Sequence, residues 1–212
     1  MTEARPDSSL LQAAGKLRDY LIIVIRHRLP FLYPLLEGGN NLYCSIRFGG
    51  FKGGLRRRAW EGSQPGGSLR VLGEDDAPAL VALIEGGSEQ SRSLFTPHQI
   101  DENTFRQLIR APYYLAVGYH LGGELAGYAF LKLYFPKKAF AGYFVADNQQ
   151  GKGIGKQLFR VIREIAGEAG FDLYTHVKEE NIASMRISPG YVVHQRIPGG
   201  YLVLKHIYRK EP

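Results

Sequence analysis

The segment Asp147-Asn148-Gln149-Gln150-Gly151-Lys152-Gly153-Ile154-Gly155-Lys156 constrains this chain more than any other stretch. It sits between a strand-like run, Phe140–Val145, and the strongest helical pattern in the sequence, Gly153–Ala169. In that pattern Ile154, Leu158, Val161, Ile162, Ile165, Ala166 and Ala169 form one apolar stripe, and Gly170 ends it. Glycines at such a junction let the backbone turn tightly and present its N–H groups. The first turn of a helix adds unsatisfied donors and a partial positive charge. Together they make an anion site suited to a pyrophosphate, with Lys152 and Lys156 adding mobile positive charge.

Spacing excludes two other glycine motifs. A Walker A loop needs four residues between its first glycine and Gly-Lys-Ser/Thr. Here Gly151 and Gly155-Lys156 have three between them, and Gln157 replaces the hydroxyl that would hold magnesium. The dinucleotide fingerprint is G-x-G-x-x-G, whereas this run is G-x-G-x-G, and no acidic residue follows at the ribose spacing.

The regular pattern begins at Leu69–Leu72, a strand. A helix capped by Asp75 or Asp76 carries Ala77, Leu80, Val81 and Ile84, and a second, capped by Asp101 or Asn103, carries Phe105, Leu108 and Ile109. Strands follow over Tyr113–Tyr119, Leu125–Tyr134 and Phe140–Val145, separated by Gly122-Gly123 and Pro136-Lys137-Lys138 turns. After the long helix come a strand at Phe171–Val177, a short helix at Asn181–Ile187, and a hairpin of Tyr191–Ile197 with Tyr201–Tyr208 around Gly199-Gly200. Meander strands mixed with crossover helices imply a mixed α/β sheet, not a doubly wound parallel one.

Residues 1–68 read differently. Leu10–His27 has helical spacing with a basic polar face, and Pro30 and Pro34 stop it. Such a helix docks on its own core or lies on a membrane surface, so residues 10–36 are a candidate for peripheral membrane contact. Asn40–Trp60 is glycine-rich, with a strand-like stretch at Leu42–Phe48 and the run Arg56-Arg57-Arg58. Glu61–Ser68 reads as a linker, which divides the chain into an extension, 1–68, and a domain, 69–212.

Of the net charge of +7 over 212 residues, +5 lies in residues 1–68 and +2 in the rest. Basic surface favours anionic partners. A nucleic-acid reading of Arg56–Arg58 lacks aromatic interleaving and a reading helix. The single cysteine, Cys44, excludes an internal disulfide and a Cys-rich zinc site, and no metal is expected. The apolar run Tyr20–Ile25 is too short and too closely flanked by Arg26 and Arg28 for a membrane span or a secretory signal. A cytoplasmic protein is expected.

Gln150-Gly151-Lys152-Gly153-Ile154-Gly155 resembles the Gln/Arg-x-x-Gly-x-Gly/Ala signature of GNAT-superfamily N-acetyltransferases, and His176-Val177 followed by Asn181 resembles that family's next strand and its trailing asparagine. The resemblance covers about two-thirds of the chain, from Leu69 onward. It implies a mixed, mostly antiparallel sheet of six to seven strands flanked by helices, and acetyl-CoA as acyl donor. It further implies that Gln150 to Gly155 cradle the pyrophosphate and that Lys152 or Lys156 meets phosphate oxygens. Val145 would offer backbone hydrogen bonds to the pantetheine arm, and Asn181 would sit beside that arm in a splayed gap between two parallel strands.

Acetyl transfer to an amine requires a base for the ammonium and a proton for the leaving thiolate. His176 matches the position where ribosomal-protein alanine acetyltransferases of the superfamily carry a glutamate base, and histidine titrates near 6.5. Strand alternation puts Tyr174 on the same face. The position of the family's tyrosine acid is Ser188, a poor acid, with Tyr143 and Tyr174 as substitutes. Ala139 stands where histone-type members carry a glutamate. The family's acceptor pocket maps to Leu94–His98, Tyr134-Phe135 and Arg196–Tyr201, so Phe95, His98 and Tyr134 are substrate candidates, with His98 an alternative base. The expected function is direct acetylation of a small-molecule primary amine, such as an amino sugar or nucleotide sugar, by a protein that could pair as a homodimer. The alternative is a non-catalytic acyl-CoA-binding module whose basic N-terminal segment binds a membrane or an acidic partner.

Overall fold

The computed structural model describes residues 33–62, 64–95, 97–187 and 190–207. The helix expected over Leu10–His27 lies outside them, as does most of the membrane-contact candidate at 10–36. The chain divides after Leu42 into two compact units.

Six helices and eight strands form among the described residues: α1 (Tyr33–Leu55), β1 (Ala59–Glu61), β2 (Gly67–Val71), α2 (Ala77–Glu85), α3 (Glu89–Ser93), α4 (Glu102–Arg110), β3 (Tyr114–Leu121), β4 (Glu124–Tyr134), β5 (Lys138–Val145), α5 (Ile154–Glu168), β6 (Asp172–Lys178), α6 (Ile182–Ile187), β7 (Tyr191–Ile197) and β8 (Tyr201–His206). One sheet holds all the strands in the order β1-β2-β3-β4-β5-β6-β8-β7. Every neighbouring pair is antiparallel except β5 and β6, which α5 joins as a crossover. This is the mixed sheet that the element order implies and the mostly antiparallel one that the family resemblance implies, with β1 added at one edge.

Both faces of the central strands are covered. Along β3, Leu115, Val117 and Tyr119 pack with α5 residues such as Leu158 and Ile162, while Tyr114 and Ala116 pack with Leu80, Ile84 and Phe105 of α2 and α4. Alternation therefore buries β3 on both sides. Asp101 caps α4 by accepting from Thr104 N at 2.9 Å. Asp76 precedes α2, but its carboxylate accepts from Gly73 N and pairs with Arg70 instead.

Two expectations for the N-terminal region are corrected. Leu42–Phe48 is helical, as part of α1. Its glycines each cost a helix about 1 kcal/mol relative to alanine. Cys44, Phe48 and Leu55, spaced along one helix face, are buried against the sheet, and that burial decides the conformation. Lys52 on the same helix donates to the carbonyls of Ile109 (2.9 Å) and Ala111 (2.8 Å), closing the C-terminal end of α4.

Glu61–Ser68 is not a free linker: Glu61 ends β1, Gly67 and Ser68 begin β2, and Glu61 pairs with Ser68 across the β1–β2 hairpin. Gly62 N donates to Gly67 O at 2.8 Å, and Gly66 takes φ +73°. Pro-Gly-Gly signals a turn as readily as a tether. In the adjoining basic run, Arg58 pairs with Glu164 and Glu168 of α5 and lies over the Trp60 ring.

Candidate functional site

The site begins where two strands part. Lys138↔Asp172 through Ala141↔Thr175 pair in parallel. Beyond that register β5 runs on as Gly142–Val145, paired with β4, while His176, Val177 and Lys178 pair with β8. The edge of β5 from Gly142 to Val145 thus faces a gap with no strand in it. A cavity of about 690 Å³ occupies the gap, lined by Tyr143, Val145, Gln150, Gly151, Gly155 and Asn181 among others.

The cradle at its mouth follows from local sequence. Gly151 and Gly153 adopt φ +74° and +84°, left-handed values that side chains resist. A Cβ at Gly151 would meet nothing within 4 Å, so its backbone is open to a ligand. Gly153 is the N-cap of α5 and supplies no side-chain cap, which leaves the first-turn N–H groups for an anion. Gly155 packs closely on α6, where a Cβ would come 3.0 Å from Ile187 Cδ1. Lys152 turns back onto the loop, its Nζ donating to Asn148 O (2.9 Å) and Gln149 Oε1 (3.0 Å), and Lys156 is exposed on the first turn of α5. Neither Lys152, Gly153 nor Lys156 lines the cavity itself. The hairpin loop buttresses the cradle, with Gln64 Nε2 donating to Lys152 O at 2.7 Å and Gln157 Nε2 to Glu61 O at 2.5 Å.

A hydrogen-bonded cluster fixes the loop from the other side. Asp147 accepts from Ser88 N (2.7 Å), Ser91 Oγ (2.6 Å) and Gln150 Nε2 (2.9 Å). Gln150 Nε2 also lies 3.3 Å from Val145 O. The bonds from Ser91 and Ser88 hold the Asp147 carboxyl below its ordinary range. Ser88 and Ser91 escape the sequence reading. Ser88 is a residue type that caps helices, and it does cap α3, which was the one local signal. Asn181 Oδ1 accepts from Ser184 N at 3.0 Å and so caps α6 at the cavity wall. Tyr143 Oη lies 2.5 Å from Ser184 Oγ, and burial pushes its pKa up to about 12.

A second cavity of about 530 Å³ adjoins the first. Leu94, Phe95, Ala141, Gly142 and His176 line both. His176 therefore stands on a shared wall, its ring edge-on to Phe140 at 4.8 Å. Among the described residues no hydrogen bond engages its ring nitrogens, and partial burial lowers its pKa from the ordinary histidine value. His98 lines the second cavity, but Nδ1 bonds Gln99 O at 2.8 Å and Nε2 faces the Tyr114 hydroxyl at 3.5 Å. Both its nitrogens are engaged within the fold. Tyr134 lines this cavity too, while Phe95 packs on Tyr128 and Phe144.

Tyr174 reaches neither cavity. It is buried against Phe140 and His194, with the Lys138 and Lys205 ammonium groups over its ring. Ser188 lies outside the described residues. Cys44 is fully buried, and desolvation pushes its thiol up to about 11, far from nucleophilic use.

The first cavity fits the expected acetyl-CoA on geometry alone. It has a backbone cradle with helix N–H groups for a pyrophosphate and an open strand edge beside it for an extended amide-bearing arm. Residues 81–187, half of the chain, match the model of the acetyltransferase (GNAT) family. The chain is 27% identical to an L-methionine sulfoximine/L-methionine sulfone acetyltransferase from Pseudomonas paraeruginosa, over 56% of this chain and 74% of the relative. The GNAT domain of S. lividans PAT superposes with a TM-score of 0.58 at 20% identity, over 66% of this chain and 89% of that one. A PaiA N-acetyltransferase from Thermoplasma acidophilum, in complex with coenzyme A, superposes with 0.57 at 18%, over 67% and 99%. Cradle, parted strands and sequence agree: the chain belongs to the GNAT family and is an N-acetyltransferase with acetyl-CoA as its acyl donor.

Proposed function

We propose that this enzyme acetylates the primary amine of a small molecule held in the second cavity, with His176 as the base. The observation that carries the reading is the position of His176 on the wall common to both cavities. A base there can meet an amine from one side and a thioester from the other.

Bound acetyl-CoA supplies an activated acetyl group. Gln150 to Gly155 hold its phosphates through backbone N–H groups, with Lys152 and Lys156 as mobile counter-charges, and Val145 and Asn181 border its extended arm. His176, with its pKa lowered by desolvation, is neutral near pH 7 and takes the proton that the ammonium must lose. The amine nitrogen gains a bond to the acetyl carbon as the carbon–sulfur bond breaks, and it sheds a second proton to become the neutral amide; of the two protons the nitrogen loses, one ends on sulfur and one leaves to solvent. The departing sulfur takes up one proton, and passage from imidazolium to thiolate is downhill because a thiol holds its proton more tightly. Tyr143, with its pKa near 12, stays protonated and serves as a hydrogen-bond donor at the wall of the first cavity.

A cavity of about 530 Å³ suits a small molecule. Amino sugars and nucleotide sugars are one acceptor class, and the relative that acts on methionine sulfoximine supports amino-acid-like amines as another. A cytoplasmic setting, a homodimer and peripheral contact through residues 10–36 complete the proposal, and sedimentation and vesicle flotation check the last two. The primary test follows thiol release from acetyl-CoA with a panel of amines. Turnover that disappears in His176→Gln while acetyl-CoA still binds supports the reading. Turnover that persists at the wild-type rate sinks His176 as base.

A further inference from the structure

We propose that the acceptor carries a carboxylate or another small anionic group beside its reacting amine, and that Lys132 receives it. This rests on the second cavity being the acceptor site. Lys132 projects from β4 into that cavity, which has no aspartate or glutamate in its lining. Its other titratable groups include His98 and His176, both with pKa values lowered by burial and so neutral near pH 7. The lysine thus sets a positive potential in an aromatic pocket.

Lys132 is half-buried, and among the described residues its ammonium has no carboxylate or carbonyl partner. What it has is two ring faces, Tyr113 at 5.9 Å and Tyr134 at 5.8 Å. The rings steer the charge without using its three N–H donors, which remain for an anion. Among the described residues other cations meet an acid on the protein, as Arg110 meets Glu74 and Lys205 meets Asp172.

The spacing suits one molecule touching both ends. Lys132 pairs with Phe140, Phe140 pairs with Tyr174, and His176 lies two residues further along that strand. Two strand spacings across and two residues along is about 12 Å between Cα atoms. A lysine and a histidine leaning in from that separation leave room for an amine and an anionic group a few bonds apart, with an apolar remainder against Phe95 and Phe140.

The test compares acceptor pairs that differ in charge: L-methionine and L-phenylalanine against their primary amides, and glucosamine 6-phosphate against glucosamine. The amides have the less basic amines, so this bias opposes the expected result. The anionic member of a pair should have at least about tenfold higher kcat/KM, with the amino-acid pairs separating carboxylate from phosphate recognition. In Lys132→Gln the ratio should fall toward one, in Lys132→Arg part of it should survive, and acetyl-CoA titration of both variants reports folding. A wild-type ratio near one, or a ratio that survives Lys132→Gln, overturns the inference. A wild-type protein that binds acetyl-CoA but acetylates no member of any pair overturns the acceptor reading itself, and this inference with it.

Discussion

Ser91 Oγ donates to Asp147 Oδ1 across 2.6 Å, joining residues 56 apart in sequence. The bond fastens α3 to the loop that opens the phosphate cradle, and Gln150 shares the same carboxylate oxygen. Asp147→Ala removes the acceptor for three donors at once. It should raise the dissociation constant for acetyl-CoA about tenfold, since hydrogen bonds to a charged group are stronger than neutral ones. Ser91→Ala, which removes one donor, should have the smaller effect. Calorimetric titration measures both.

Placing a charged side chain at Gly153 strikes the cradle directly. Gly153→Glu combines the strain of a left-handed residue with negative charge at the helix N-terminus proposed for phosphate, and acetyl-CoA binding should weaken by about 100-fold or more. Circular dichroism separates this loss from unfolding. Unchanged affinity in a folded variant would place the phosphates elsewhere.

Removing the proposed base should leave the donor site intact. His176→Gln should lower kcat by roughly 10²- to 10⁴-fold, the range for general-base catalysis, with little change in acetyl-CoA affinity. In the wild type, kcat/KM should decline as pH falls through a pKa below the ordinary histidine value of 6.5, because protonation removes the base. That limb should vanish in the variant.

His206 governs stability and not rate. It is 3% exposed, 2.9 Å from Thr175 Oγ1, and burial lowers its pKa to about 4. Below 6.5 the unfolded chain takes up a proton that the folded chain refuses until about 4. Stability should therefore decline as pH falls through that window, by at most about 3 kcal/mol from this group. His206→Gln should flatten the corresponding slope of Tm against pH.

The backbone geometry of the candidate site was legible in the sequence where chemistry and chain order coincide. Strand, glycine loop and amphipathic helix succeed one another from Phe140 to Ala169, and the positive φ angles at Gly151 and Gly153 are what glycines at that junction imply. Alternation along β6 correctly paired the faces of Tyr174 and His176. It could not say which lies beyond the last parallel partner, and Tyr174, paired with Phe140, falls short of the gap. The Ser88–Ser91–Asp147 cluster and Lys132 depend on contacts between distant segments, which no local period encodes. In α1, glycine content pointed away from helix, and only the burial of Cys44, Phe48 and Leu55 against the sheet reverses it.

The two cavities differ in how they are assembled. The proposed donor side draws its cradle and open edge from one continuous stretch, Gly142 to Gly155, whereas the proposed acceptor side gathers Pro97, His98, Leu108, Lys132, Tyr134, Ile197 and Tyr201, none of them on the donor cavity's wall, from separate parts of the chain. On that reading, a change at any one of these scattered contributors should alter what the enzyme accepts and leave the donor cavity's wall untouched. Selectivity would then be open to piecemeal retuning, by a loop exchange or a changed hairpin tip, with the strand–loop–helix stretch left as it is.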